Sequence, residues 1–193
     1  MHPYGTDSTD VDKIRWVCLV LGVVAAYLLA ISLSYLNINL WWLDLPSVVG
    51  FYSLFFYWFD SYLWKSGFVR GVLFLNTPIV AGKWKGRTRS SYQDKVSNVE
   101  LEIDQTLTKM NLLFDASKSK GRSMIASLLL DDGGSKVLCY EYLNEPKPNA
   151  VDSMHPHRGY SRLEIKSETS LEGEYFSGRD RQNYGSIFLE KEK

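Results

Sequence analysis

The sequence predicts a membrane-anchored all-β protein: a two-helix transmembrane hairpin followed by a small eight-stranded antiparallel up-and-down β-barrel. Three observations carry that prediction. No charged residue occurs between Arg15 and Asp44, and Asp60 is the only one between Asp44 and Lys65. From residue 78 onward there is no long apolar run, only short segments that alternate apolar and polar side chains. Between those segments lie clusters of turn residues, the pattern of antiparallel strands joined by tight connections.

The first apolar run, residues 16–36, is long enough at about 1.5 Å per residue to cover the roughly 30 Å core of a bilayer. The second, residues 45–64, opens with Pro46, which suits a first helical turn, and Trp41, Trp42, Trp58 and Trp64 suit interfacial depth. Lys13 and Arg15 precede the first helix and Lys65 and Arg70 follow the second. The connection between them carries no positive charge, so both chain ends are expected in the cytoplasm. A cleaved signal peptide fits less well, because a second apolar run follows at once. The expected organisation is a tail over 1–13, the hairpin over 14–66, a linker over 67–77 and the barrel over 78–193. Asp60, near the end of the second helix, reads as a headgroup-level carboxylate or as part of a watery path.

The remaining composition excludes several classes. Residues 77–193 carry 18 Lys/Arg against 17 Asp/Glu, too balanced to coat a nucleic-acid polymer but compatible with a small anion held by one or two arginines. Cys18 and Cys139 form no disulfide framework or metal spacing, and a reducing compartment is expected. His155-Pro156-His157 has no third ligand in view and reads as a turn, so no metal is expected. No nucleophile–base pair or phosphate loop stands out, and the chain is not read as an enzyme.

Eight segments supply the barrel strands, and their alternation assigns faces. Val99, Leu101 and Ile103 share one face; so do Met110, Leu112 and Phe114, then Leu163 and Ile165, and Gly185, Ile187 and Leu189. In the fifth strand the inward set is Leu138, Tyr140, Tyr142 and Asn144, and in the seventh Leu171, Gly173, Tyr175 and Ser177. The fourth strand, around residues 122–130, has no readable phase. Strand direction then sorts the two ends. Trp84, Leu138, Leu171 and Leu189 fall at a plugged base, where Trp84 is structural. Thr88, Ser90, Tyr142, Asn144, Arg158, Gly159, Tyr175, Ser177 and Arg179 gather at the other end, a polar and aromatic mouth, and the inward Tyr140 is a further candidate ligand contact. Tyrosine rings can stack on bases, the arginines can pair with phosphate oxygens, and Asn144 and Ser177 can read a base edge or ribose hydroxyl.

Several motifs together carry a family resemblance: "GKWKG" over 82–86, "YLNEPKP" over 142–148, "HRG" over 157–159, and "LEGEYFSGRD" over 171–180 before "YGSIFLE". With the helical pair ahead of them, the chain resembles the membrane-anchored β-barrel effectors of bacterial antiphage signalling of the CBASS type. The resemblance implies a barrel that binds a cyclic dinucleotide made by a cognate nucleotidyltransferase. It further implies ligand-driven homo-oligomerisation, disruption of the inner membrane and abortive infection, with the dinucleotide as activating ligand and no cofactor. Two other readings compete: a tethered lipocalin-like carrier of a lipid or small apolar ligand, which favours an apolar mouth, and a docking module, which predicts a filled barrel.

Overall fold

The computed structural model describes residues 1–36, 44–92, 94–148, 155–178 and 183–192. The chain forms two compact units, one of Met1–Ser8 with Thr77–Lys193 and the other of Thr9–Asn76.

The helical unit holds α1 (Asp10–Tyr35), α2 (Asp44–Ser61), a single 3₁₀ turn over Leu63–Lys65 and the short α3 (Gly67–Leu73). The buried residues of α1 recur every fourth position: Asp10, Ile14, Cys18, Gly22 and Ala26. That is one narrow stripe, with small side chains at its centre. Backbones approach closely there, since a Cβ on Gly22 would sit 3.1 Å from the Tyr52 amide nitrogen and 3.2 Å from the Val48 carbonyl oxygen. Small residues at such a crossing are how helices pack when apolar burial alone does not draw them together. The rest of the α1 surface, including Val20, Val23, Val24, Tyr27, Leu28 and Ile31, is apolar and exposed. Among the described residues, α1 is the helix with the length and hydropathy to cross a membrane. Asp60 lies half-buried in the last turn of α2. Trp41 and Trp42 lie outside the described residues.

The barrel is closed. Its strands are β3 (Gly82–Ser90), β4 (Val96–Gln105), β5 (Lys109–Ala116), β6 (Ser119–Asp132), β7 (Ser135–Pro146), β8 (His157–Ser167), β9 (Ser170–Ser177) and β10 (Tyr184–Lys191). Each pairs antiparallel with its sequence neighbour, and β10 returns to β3, from Gly185 opposite Ser90 to Lys191 opposite Trp84. The inward sets expected from alternation form its core: Val99, Leu101, Ile103, Met110, Leu112, Leu138, Tyr140, Leu163, Leu171, Ile187 and Leu189 are all buried. In β6 the phase was unreadable because the strand carries a bulge. Its register shifts between Ser123 and Ile125, so Ser119, Gly121 and Ser123 face inward before the bulge and Ala126 and Leu128 after it.

The seam between β5 and β6 is the barrel's thinnest ladder, with three residue pairs from Leu113–Arg122 to Asp115–Lys120. There the first residues of the chain enter. Read from sequence as a tail, they instead form β1 (His2–Pro3), antiparallel to β5, and β2 (Gly5–Thr6), parallel to β6. Ser123 Oγ accepts the Leu112 amide at 3.0 Å and lies 2.7 Å from His2 Nε2, bridging the gap. Asp7 accepts the Leu130 amide at 2.8 and 3.0 Å, fastening the segment where it leaves the sheet. Residues this short and polar have no periodicity, so only tertiary pairing reveals them as strands.

The base is plugged. Trp84 is 1% exposed and its indole N–H donates to the Val80 carbonyl at 2.9 Å. Gln105, also buried, accepts the amides of Val80 and Ala81 at 2.8 and 3.2 Å and donates to the Pro78 carbonyl at 3.0 Å. One side chain thus satisfies three backbone groups of the segment leading into β3. Trp84→Ala is expected to lower the unfolding free energy by about 3–5 kcal/mol. Phe188→Ala, at an exposed outer position, is expected to change it by about 0.5 kcal/mol or less. Denaturant titration of the full chain in detergent, followed by tyrosine absorbance, distinguishes the two.

Candidate ligand-binding site

At the end opposite Trp84 the barrel opens on a cavity of about 570 Å³. The strands contribute side chains from their mouth-facing ends, and the turns after β3, β5 and β9 contribute Lys95, Lys118 and Asn183 to its rim. That volume falls in the range of small-molecule sites, roughly 300–1,000 Å³.

Among the expected site residues, Thr88, Tyr140, Tyr142, Asn144, Tyr175 and Ser177 line this cavity. Their convergence follows from register. Tyr140, Ser161 and Tyr175 are direct cross-strand partners over β7, β8 and β9, and Tyr142, Gly159 and Ser177 form the next inward row. The Tyr140 and Tyr142 rings lie 6.1 Å apart with a tilt of 51°. Tyr142 lies over Gly159, where a Cβ would come within 2.3 Å of the ring and 2.5 Å of the Phe176 carbonyl oxygen. Gly185 gives Tyr175 the same room, a Cβ there falling 2.6 Å from its ring. Glycines in these strands are thus sites of close approach, letting two rings lie against the wall.

Arg158 corrects the sequence expectation. β8 begins at His157, so alternation turns His157 and Gly159 inward and Arg158 outward. Its guanidinium is 72% exposed and lies 3.6 Å from the Glu141 carboxylate on the outer face. Arg179 lies outside the described residues. Among the described lining residues of the cavity the cations are Lys95 and Lys118, and there is no carboxylate.

Sequence reasoning missed His157 and Ser161. Both are buried and line the cavity, His157 beside Asn144 with Nε2 3.4 Å from the amide nitrogen. The His-Pro-His run reads locally as a turn, and only the start of β8 at its last residue brings that ring inside. Ser161 sits mid-strand among apolar inward positions, where its hydroxyl faces Tyr140. Burial pushes the Tyr140 phenol up to about 12, offset in part by the Ser161 hydroxyl. Tyr140 is therefore a neutral donor throughout the physiological range.

The barrel is closed, plugged at its base and open at the other end through aromatic rings, hydroxyls and amides. The class of protein is defined by comparison with known sequences. The profile of the Cap15 cyclic dinucleotide receptor domain matches residues 75–191, and the chain belongs to that family. CD-NTase-associated protein 15 of Yersinia aleksiciae is 30% identical over 186 residues, covering 88% of each chain. The protein of the same name from Staphylococcus schleiferi is 26% identical over 186 residues, covering 94% of this chain and 99% of the relative. These matches identify a CBASS effector with a cyclic-nucleotide-sensing domain, and the family description names a receptor rather than a catalytic activity. A de novo designed fluorescence-activating β-barrel covers 61% of this chain and 99% of its own at a TM-score of 0.40 and 19% identity, too distant to bear on the ligand.

Gly159→Ala is expected to destabilise the barrel by about 1–3 kcal/mol and to alter the near-ultraviolet circular dichroism of Tyr142. Alkaline titration checks Tyr140. An unfolded tyrosine ionises near pH 10 while folded Tyr140 holds its proton to about 12. Stability should therefore fall as pH rises between those values. Tyr140→Phe should make that fall shallower, the remainder arising in part from Tyr160, raised to about 12 by its hydrogen bond with Cys139 and by burial.

Proposed function

We propose that the protein is an antiphage effector whose barrel mouth binds a cyclic dinucleotide and whose helices act on the bacterial inner membrane. The observation that carries the reading is the cavity lined by Tyr140, Tyr142, Tyr175, Asn144 and Ser177, with Lys95 and Lys118 at its rim and no carboxylate among its described lining residues. Two phosphates need positive charge without nearby carboxylates, and two bases need flat faces. Stacking on a ring contributes about 1–3 kcal/mol per base whatever the base. The outward Arg158 leaves the phosphates to the two lysines and, in this reading, to Arg179. A lipid carrier would favour an apolar mouth, whereas hydroxyls and amides crowd this one.

The two helices then form a two-span hairpin, with both termini and the barrel cytoplasmic, as Lys13, Arg15, Lys65 and Arg70 direct. The apolar exposed surface of α1 supports this placement. The dinucleotide acts as an activating ligand rather than a resident cofactor. It drives homo-oligomerisation by binding the assembled state more tightly, and moving a population from 1:99 to 99:1 takes about a 10⁴-fold preference. Assembly of the helices, with Asp60 a candidate for lining the lesion, disrupts the membrane and ends the infection with the cell.

The test is calorimetry of the full chain in detergent against a panel of cyclic dinucleotides. One member should bind, with Tyr142→Ala weakening it about 5- to 150-fold. Lys95→Gln and Lys118→Gln should each weaken it about 3- to 10-fold and flatten its salt dependence. The same ligand should release dye from vesicles carrying the wild-type chain. A folded chain that binds no member, or that binds one with neither assembly nor leakage, overturns the reading at the corresponding step.

A further inference from the structure

We propose that His157 is a positioning residue: it fixes which end of the Asn144 amide faces the cavity, so that the site presents an acceptor and selects a ligand donor at that point. The inference rests on reading the cavity as the dinucleotide site. Asn144 of β7 and His157 of β8 are direct cross-strand partners, 8% and 7% exposed, and both line the cavity.

The geometry orders the protons in sequence. His157 Nδ1 lies 3.1 Å from the His155 carbonyl oxygen, a group that can only accept, so Nδ1 carries the hydrogen. In the neutral ring Nε2 is then the acceptor. Its neighbour at 3.4 Å is the Asn144 Nδ2, which donates to it. The amide orientation is thereby set, and the remaining atom is Asn144 Oδ1, buried and without a hydrogen-bond partner among the described residues. A buried acceptor left unpaired is costly, and a ligand that supplies the donor recovers that cost on binding. A base-edge N–H or a ribose O–H has the required chemistry. Turning the amide over would place a donor in the cavity and select the opposite kind of group.

Two measurements on the full chain in detergent separate this inference from the reading beneath it. The chain has three histidines, so ¹⁵N-histidine labelling gives a sparse spectrum in which His157→Gln assigns the ring. The expected result is an Nδ1–H tautomer, observed without any ligand. The second measurement is dinucleotide affinity by calorimetry. His157→Gln retains an acceptor toward Asn144 Nδ2 and should bind within about 3-fold of wild type. His157→Leu removes that acceptor and should bind at least about 10-fold more weakly, as should Asn144→Leu. A 2′-deoxy analogue of the binding dinucleotide identifies the donor: persistence of the Asn144 dependence assigns a base edge, and its loss assigns the ribose.

An Nε2–H tautomer overturns the proposal, as does His157→Leu binding like wild type or His157→Gln failing as badly as His157→Leu. If a folded chain binds no dinucleotide, the receptor reading fails, and the tautomer alone then decides the amide orientation.

Discussion

Closure of the sheet is the constraint on which everything else depends. Once β10 pairs with β3, every strand has two neighbours and an inside, and each inward position must be filled, plugged or exposed to a ligand. The base solves this with apolar volume and one amide: Trp84 fills the end, and Gln105 satisfies the backbone that crosses it. The mouth solves it differently. Its inward positions include tyrosines, serines, a threonine, an asparagine and a histidine, whose polar groups tolerate water until a ligand replaces it. The same alternation that packs Leu138 thus delivers Tyr140, Tyr142 and Asn144 to the cavity two residues at a time.

That regularity explains how much was legible in the sequence. Six strands announce their phase because one face is apolar over at least two positions, Trp84 alone marks β3, and the direction of an up-and-down meander then sorts base from mouth. The rest depended on events with no local signature. The bulge in β6 reverses its phase in mid-strand and leaves serines facing inward on one side and Leu128 on the other. His157 is brought inside only by where β8 starts, a boundary set by pairing with Asn144 rather than by the His-Pro-His run itself. Arg158 shows the same sensitivity in reverse, since a strand beginning one residue earlier points its guanidinium at Glu141 instead of at a ligand.

Electrostatics at the mouth follow from the same sorting. Described acidic residues of the barrel alternate onto the outer face, where several meet cations: Glu100 and Glu192 with Lys85, Asp132 with Arg162, Glu141 with Arg158. Exposed pairs of this kind contribute little to stability. Because alternation sets these carboxylates on the outer face, a near-neutral domain still presents a cavity whose only described charges are positive.

The short strands β1 and β2 change what the barrel is as a piece of chain. Because residues 2–6 are strands of the sheet and residue 82 begins the next one, the helical unit is an insertion within a discontinuous domain. Cutting the chain after residue 76 would remove the helices but also two strands and the Asp7 fastening at Leu130. A water-soluble receptor is therefore reached by excision, joining residue 8 to residue 77 through a linker, and not by truncation. Fusion partners face the same geometry, since a tag on Met1 would hang beside the His2–Ser123 contact that bridges the thinnest seam of the barrel.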